Sequence, residues 1–282
     1  MDLSIFGYQF MQNAIAATFL GGIACSIIGV FVVLLHMPFI GVAMSHAAFA
    51  GALLGLWLGF DPLIGAFIFS LGAAAVIGPL ADRGQLSPET SLGVVFSLML
   101  GIAFLLIGVI PNTRSAALDL LWGSILTVSR GDIALLAIVA LLVVGVVIVF
   151  AKEIQATIFN RNIALAVGIP ATLVLYGIIF LTGAAVTVTL RSIGGLLIFS
   201  LILNPAAAAY QLTYSMKRMF LISAGFGVLS CWAGLMASYL LDIPSGATIV
   251  ITSSLIFMLA AVFSPKRKIK AWGKTAPREV KP

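Results

Sequence analysis

Apolar runs of membrane-spanning length recur from one end of this chain to the other, and they leave very few folds open to it. At a helical rise of about 1.5 Å per residue, roughly 20 apolar residues cross a hydrocarbon core of about 30 Å. Strands of a membrane β-barrel alternate in polarity, and these runs do not. Composition removes the remaining soluble alternatives. Hydrophobic residues fill 62% of the 282 positions and charged residues only 9%, too few to cover the surface of a water-soluble domain. The chain is expected to be an all-α polytopic plasma-membrane protein without a soluble domain of any size.

The pattern predicts nine spans, or eight if the first two are miscounted, at about 9–35, 40–59, 62–81, 90–110, 132–151, 171–189, 193–210, 219–241 and 246–263. Asp2, with no basic residue before the first run, predicts a retained span and not a cleaved signal peptide. Charge sets the orientation. With the N-terminus outside, Arg83, Lys152, Arg161, Lys217, Arg218 and the seven basic residues of the tail lie inside, against Arg114, Arg130 and Arg191 outside. The tail, residues 266–282 with Lys266, Arg267, Lys268, Lys270, Lys274, Arg278 and Lys281, accounts for the formal charge of +6. It is expected to be a basic, disordered cytoplasmic segment near anionic headgroups, behind a membrane domain of residues 1–265. Nucleic-acid binding is not indicated.

Two connections are more than linkers. Residues 111–131 are too short to span, yet Leu118 to Val128 is too apolar for an ordinary loop, which predicts a short helix on or dipping into the outer face. Residues 152–170 contain a short amphipathic stretch, Asn162 to Val167, stopped by Gly168 and Pro170. It suits either a partner-docking helix or one that floats on headgroups. Gly51, Gly55 and Gly59 recur every fourth residue and predict a bare helix face for close packing, by default within the chain.

Enzymatic motifs are missing. Gly273-Lys274-Thr275 resembles the end of a phosphate loop, but Lys268 stands where that loop needs a glycine. No HExxH, CxxC or nucleophilic triad spacing occurs, and Cys25 and Cys231 sit singly inside apolar runs. Polar residues at membrane depth are costly and are therefore the functional candidates. His46, preceded by Ser45, lies about six residues into the second span. A neutral imidazole there either coordinates a metal ion, relays a proton, or bonds a neighbouring carbonyl. Cys25 and Cys231 are the soft ligands that could join it. Asn204-Pro205 in the seventh span predicts a kink, because the proline removes a backbone donor and frees a carbonyl one turn earlier.

Three stretches together resemble the metal-ion permease family of ATP-binding-cassette importers, which contains bacterial zinc, manganese and iron uptake permeases. They are HMPFIGVAMSHAAFAGALLG from His36, SIGGLLIFSLILNPAAAA from Ser192, and DIPSGATIVI from Asp242. Weaker echoes include the Asn162-x-Ala164-x-x-x-Gly168 pattern of the inner connection. The resemblance runs nearly the whole chain. It implies a permease with a cobalamin-importer-like architecture, and no intrinsic cofactor, a divalent metal ion being the transported substrate. It also implies a second permease copy, cytoplasmic ATP-binding subunits docked at Arg161, Asn162, Ala164 and Gly168, and an extracytoplasmic solute-binding protein. Ser45, His46 and Asn204 are the expected pathway residues, with His46 as metal ligand.

One position departs from the family. In zinc and manganese members an aspartate stands four residues before the histidine, on the same helix face; here that place is Val42, and Asn204 replaces an apolar residue before the Pro-Ala. A lone histidine holds a divalent cation less well than a histidine with a carboxylate, so a metal chelate is the alternative cargo. A stand-alone secondary transporter is disfavoured, since Asp61, Asp119, Asp132 and Asp242 lie near the outer face and none clearly at mid-membrane.

Overall fold

The computed structural model describes residues 7–83, 87–110 and 125–266. The helices are α1 (Gln9–Leu34), α2 (Ile40–Leu58), α3 (Pro62–Arg83), α4 (Pro88–Val109), α5 (Arg130–Val149), α6 (Ala151–Phe159), α7 (Arg161–Ala166), α8 (Ala171–Ile193), α9 (Gly195–Leu212), α10 (Met216–Leu241) and α11 (Ser245–Val262). No strand occurs among the described residues. Lipid offers no partner to a bare backbone, so each crossing segment satisfies its own N–H and C=O groups as a helix.

Eight of these helices are long and apolar enough to cross a membrane: α1 to α5, α8, α10 and α11. The expected span at 193–210 is the exception. It appears as α9, an 18-residue helix from Gly195 to Leu212 with Asn204 and Pro205 in its interior. Yet α9 starts directly after α8, and at its other end Gln211 accepts a hydrogen bond from Ser264, just beyond α11. It therefore runs the depth of the bundle. Packed by α1, α10 and α11, with Tyr210 as its one exposed described side chain, it has little need of a continuous lipid-compatible surface.

Two helix groups meet along α9. On one side α1, α10 and α11 pack with it; on the other α2 packs on α3, α4 and α8, and α5 leans on α1 and α8. Lipid chains are as apolar as leucine, so association relies on close backbone approach and interhelical hydrogen bonds. A Cβ built on Gly51 would overlap the carbonyl oxygen of Gly65 in α3, and one on Gly65 would overlap that of Gly51. A Cβ on Gly55 would stand 3.0 Å from Pro62 Cα. Gly59 does something else: at φ +77° it closes α2 in the left-handed conformation, and an added Cβ would meet nothing within 4 Å.

Pro205 lies inside α9 and leaves Leu201 O without its helical donor. Ser26 of α1 fills the gap, its Oγ donating to Leu201 O at 3.4 Å. The next turn of the same seam is so tight that a Cβ on Gly29 would overlap Ile202 O.

The expected span at 132–151 ends earlier. The helix breaks at Phe150, and residues placed by the sequence in a loop form α6. The helix expected within 111–131 falls mostly on residues 111–124, outside the described residues; Ile125–Thr127, at the start of the next described stretch, forms a single 3-10 turn. The tail from residue 267 is likewise outside the described residues.

Candidate functional site

His46 projects from α2 towards α4, its ring edge-on to Phe96 with centroids 5.0 Å apart. Its Nδ1 lies 2.9 Å from Val42 O, one turn back. A carbonyl oxygen only accepts, so Nδ1 carries the hydrogen, and Nε2 is the ring nitrogen left to meet a ligand. Ser45 Oγ donates to the same Val42 O at 2.9 Å. Where the family's carboxylate is expected, this chain thus offers a half-buried valine side chain and an already occupied carbonyl.

Asn204 belongs to a different environment. Its Nδ2 donates to Ser253 and Ser254 of α11, both at 3.0 Å. Both amide hydrogens are thereby used, and the oxygen Oδ1 remains as the hard acceptor of a half-buried group at membrane depth. His46 and Ser45 face α4 and their own helix, while Asn204 faces α11.

The cysteines do not join His46. Cys25 Sγ lies 3.7 Å from Thr189 Oγ1 on the α1–α8 seam, and Cys231 is buried in α10. Among the described residues no three His, Cys, Asp or Glu side chains gather into a potential metal site.

At the far end of α5, the docking candidates form a compact turn. Asn160, in extended conformation, caps α7, its Oδ1 accepting from Asn162 N and Ile163 N at 3.0 and 3.1 Å. At the other end Gly168 takes φ +87°, with Ile169 N bonded to Ala164 O at 2.9 Å and Gly168 N to Leu165 O at 3.1 Å. This double bond pattern is a Schellman closure. Arg161 Nη2 donates to Thr172 Oγ1 at 3.0 Å, fastening α7 to α8, and Ala164 is buried against the bundle. The outward face is apolar: Phe159 is 83% exposed, and Ile163, Leu165 and Val167 are also exposed.

One cluster escaped the sequence reading. Arg191, in the last turn of α8, bonds Asp132 Oδ1 through Nε at 3.1 Å and approaches Asp61 Oδ1 at 3.9 Å. Asp132 Oδ2 also accepts from Ser129 N at 3.1 Å while Ser129 Oγ accepts from Asp132 N at 3.2 Å, the capping box that starts α5. Asp61 caps the turn into α3 by accepting from Leu63 N at 2.9 Å. The ends of α3, α5 and α8 are so tied beside a cavity of about 220 Å³ that Ala52, Ala66 and Thr187 help to line. Sequence reading placed these charges only near one membrane face, because 130 residues separate Asp61 from Arg191.

Replacing Arg191 by methionine is expected to cost about 1 kcal/mol, discounted for a side chain that is half exposed. Thermal melting in detergent at low and high salt tests this. The deficit should shrink with salt, and equal melting of both proteins at low salt would show the ion pairs to be idle.

A sequence model of the ABC 3 transport family matches residues 7–264. The manganese transport system membrane protein MntC of Halalkalibacterium halodurans is 31% identical, over 94% of this chain and 91% of its own length. The chelated iron transport system membrane protein YfeD of Yersinia pestis is 29% identical, over 94% of this chain and 89% of its own. Among solved structures, PsaBC from Streptococcus pneumoniae in complex with Fab superposes with a TM-score of 0.84 at 29% identity, covering 96% of this chain and 97% of that one. The family match takes in every described helix, from Gln9 to Val262, and this multi-pass membrane protein belongs to the ABC 3 transport family.

Proposed function

We propose that the chain is the permease subunit of an ATP-driven importer that carries a divalent metal ion, manganese, iron or zinc, into the cell. The observation that carries the reading is His46 in a membrane-spanning helix with Nδ1 held by Val42 O, which leaves Nε2 as the nitrogen to meet a ligand. Relatives named for manganese and chelated-iron transport support the cargo class. The permease conducts and does not catalyse; ATP hydrolysis belongs to separate cytoplasmic subunits that dock on the apolar face of Ile163, Leu165 and Val167 with Asn162 exposed beside it, while Arg161, Ala164 and Gly168 hold that turn in shape. A solute-binding protein delivers cargo at the opposite end, near Arg191, and a second permease copy completes the pathway that Ser45, His46 and Asn204 line. The N-terminus lies outside, because Lys152, Arg161, Lys217, Arg218 and Lys266 share the α6 end of the bundle. The architecture is cobalamin-importer-like.

Uptake of radiolabelled manganese, iron and zinc by cells carrying the permease with its ATP-binding and solute-binding partners tests the reading. His46→Ala is expected to lower uptake of one ion by about tenfold, the equivalent of some 1.4 kcal/mol of lost coordination. Undiminished uptake would remove His46 from the pathway. A second reading, a metal chelate as cargo, is favoured by Val42 in the carboxylate's place. It predicts no uptake of any free ion and uptake of a chelated one.

A further inference from the structure

A second cavity, of about 310 Å³, opens at the α6 end of the bundle, well away from His46. Its walls are apolar: Leu34 at the end of α1, Ile158 and Phe159 of α6, and Met216 and Met219 of α10. Its rim is aromatic and cationic. Lys266 Nζ sits 3.6 Å from the centre of the Tyr210 ring and 4.9 Å from that of Tyr214, and donates to Tyr210 O. That bond uses one of three ammonium hydrogens. Among the described residues no aspartate or glutamate lines the cavity. Lys217 and Arg218 are exposed in the first turn of α10 but do not line the cavity.

A largely apolar trough with a cation at its rim, and with no carboxylate among the described residues that line it, suits an amphiphile with an anionic head. We propose that this cavity binds one anionic phospholipid, its acyl chain along Ile158, Met216 and Met219 and its phosphate against Lys266. The tyrosines sit where amphipathic rings favour the headgroup level of a bilayer, and burial pushes the Lys266 ammonium below the usual lysine range. Inorganic phosphate would leave the apolar wall unused. A neutral lipid would leave the Lys266 ammonium without an anion. Because α6 forms one wall, the lipid would also join this helix to α10 and to the end of α11.

Native mass spectrometry of the full-length permease copurified with its ATP-binding subunits tests the proposal, in detergent carrying phosphatidylglycerol or phosphatidylcholine with identical chains. One phosphatidylglycerol per permease copy is expected to survive activation that strips phosphatidylcholine. Lys266→Gln should reduce the retained fraction about fivefold, the usual effect of one cation near anionic lipid, and Lys266→Arg should preserve it. Equal retention of both lipids, or of phosphatidylglycerol by wild type and Lys266→Gln, would overturn the proposal. So would displacement of the lipid by inorganic phosphate alone, which marks a free-anion site. Lipid held by the lone permease but lost in the complex would assign the cavity to the partner protein and overturn it equally. Circular dichroism and melting of each variant show whether it is folded, and the arginine variant keeps the test valid if the glutamine variant is not.

Discussion

Gly29→Leu is expected to yield no stably folded permease. A Cβ at this position would overlap Ile202 O and stand 2.8 Å from Ile202 C, both backbone atoms of α9 that cannot turn aside as a side chain can. To admit leucine, α1 must move off α9 along the seam where Ser26 serves the carbonyl freed by Pro205, so packing and a buried hydrogen bond are lost together. Overpacking of this kind with a broken buried bond lies in the exceptional class, above about 4 kcal/mol. Membrane yield, gel-filtration profile and melting of the purified protein measure it. Gly101→Ala is the matched control: it lies on exposed α4 with nothing within 4 Å of an added Cβ, and should melt like wild type. A monodisperse Gly29→Leu protein with wild-type melting would show that α1 and α9 do not approach this closely.

Gly168→Val is expected to do the opposite, preserving the folded permease while uncoupling it from ATP hydrolysis. Space is no obstacle here, since a Cβ at Gly168 would meet nothing within 4 Å. Conformation is. At φ +87° a branched side chain is strained, and α7, with six residues, is too short to hold its shape without its caps. The closure of Ile169 N on Ala164 O would open, and the face formed by Ile163 and Val167 would lose its geometry. A strain of about 1–2 kcal/mol corresponds to roughly a five- to thirtyfold loss of substrate-stimulated ATPase in the assembled transporter. Asn, which tolerates the left-handed region, should restore part of it. Full coupling in Gly168→Val would remove this turn from the transmission path.

The spans were legible because lipid leaves a crossing chain no choice but helix, and the apolar length is written directly in the sequence. The α7 stop was legible for a related local reason, as Gly168 and Pro170 act through their own backbone geometry. The break at Phe150 was not, since nothing at Phe150 or Ala151 is a helix breaker and α6 is held by contacts to α7 and α8. Gly51, Gly55 and Gly59 share one spacing and have two roles, because a glycine's neighbour cannot be read from its position. His46 was visible as a costly polar residue in an apolar run. Which ring nitrogen is left to meet a ligand was not, because that depends on where Val42 O points in the folded helix.

What the sequence alone determined, then, is the membrane, the all-helical fold, the span boundaries within a few residues and the family of the chain, all consequences of local apolar length, charge count and short motifs. Only the tertiary structure decided that Ser26 completes the helix Pro205 interrupts, that Asp61, Asp132 and Arg191 meet, and that a cavity with a cation at its rim opens beside α6. Each of these joins residues far apart in the chain, and no local property of either partner specifies such a contact; it exists only once neighbouring helices have fixed their distance and register.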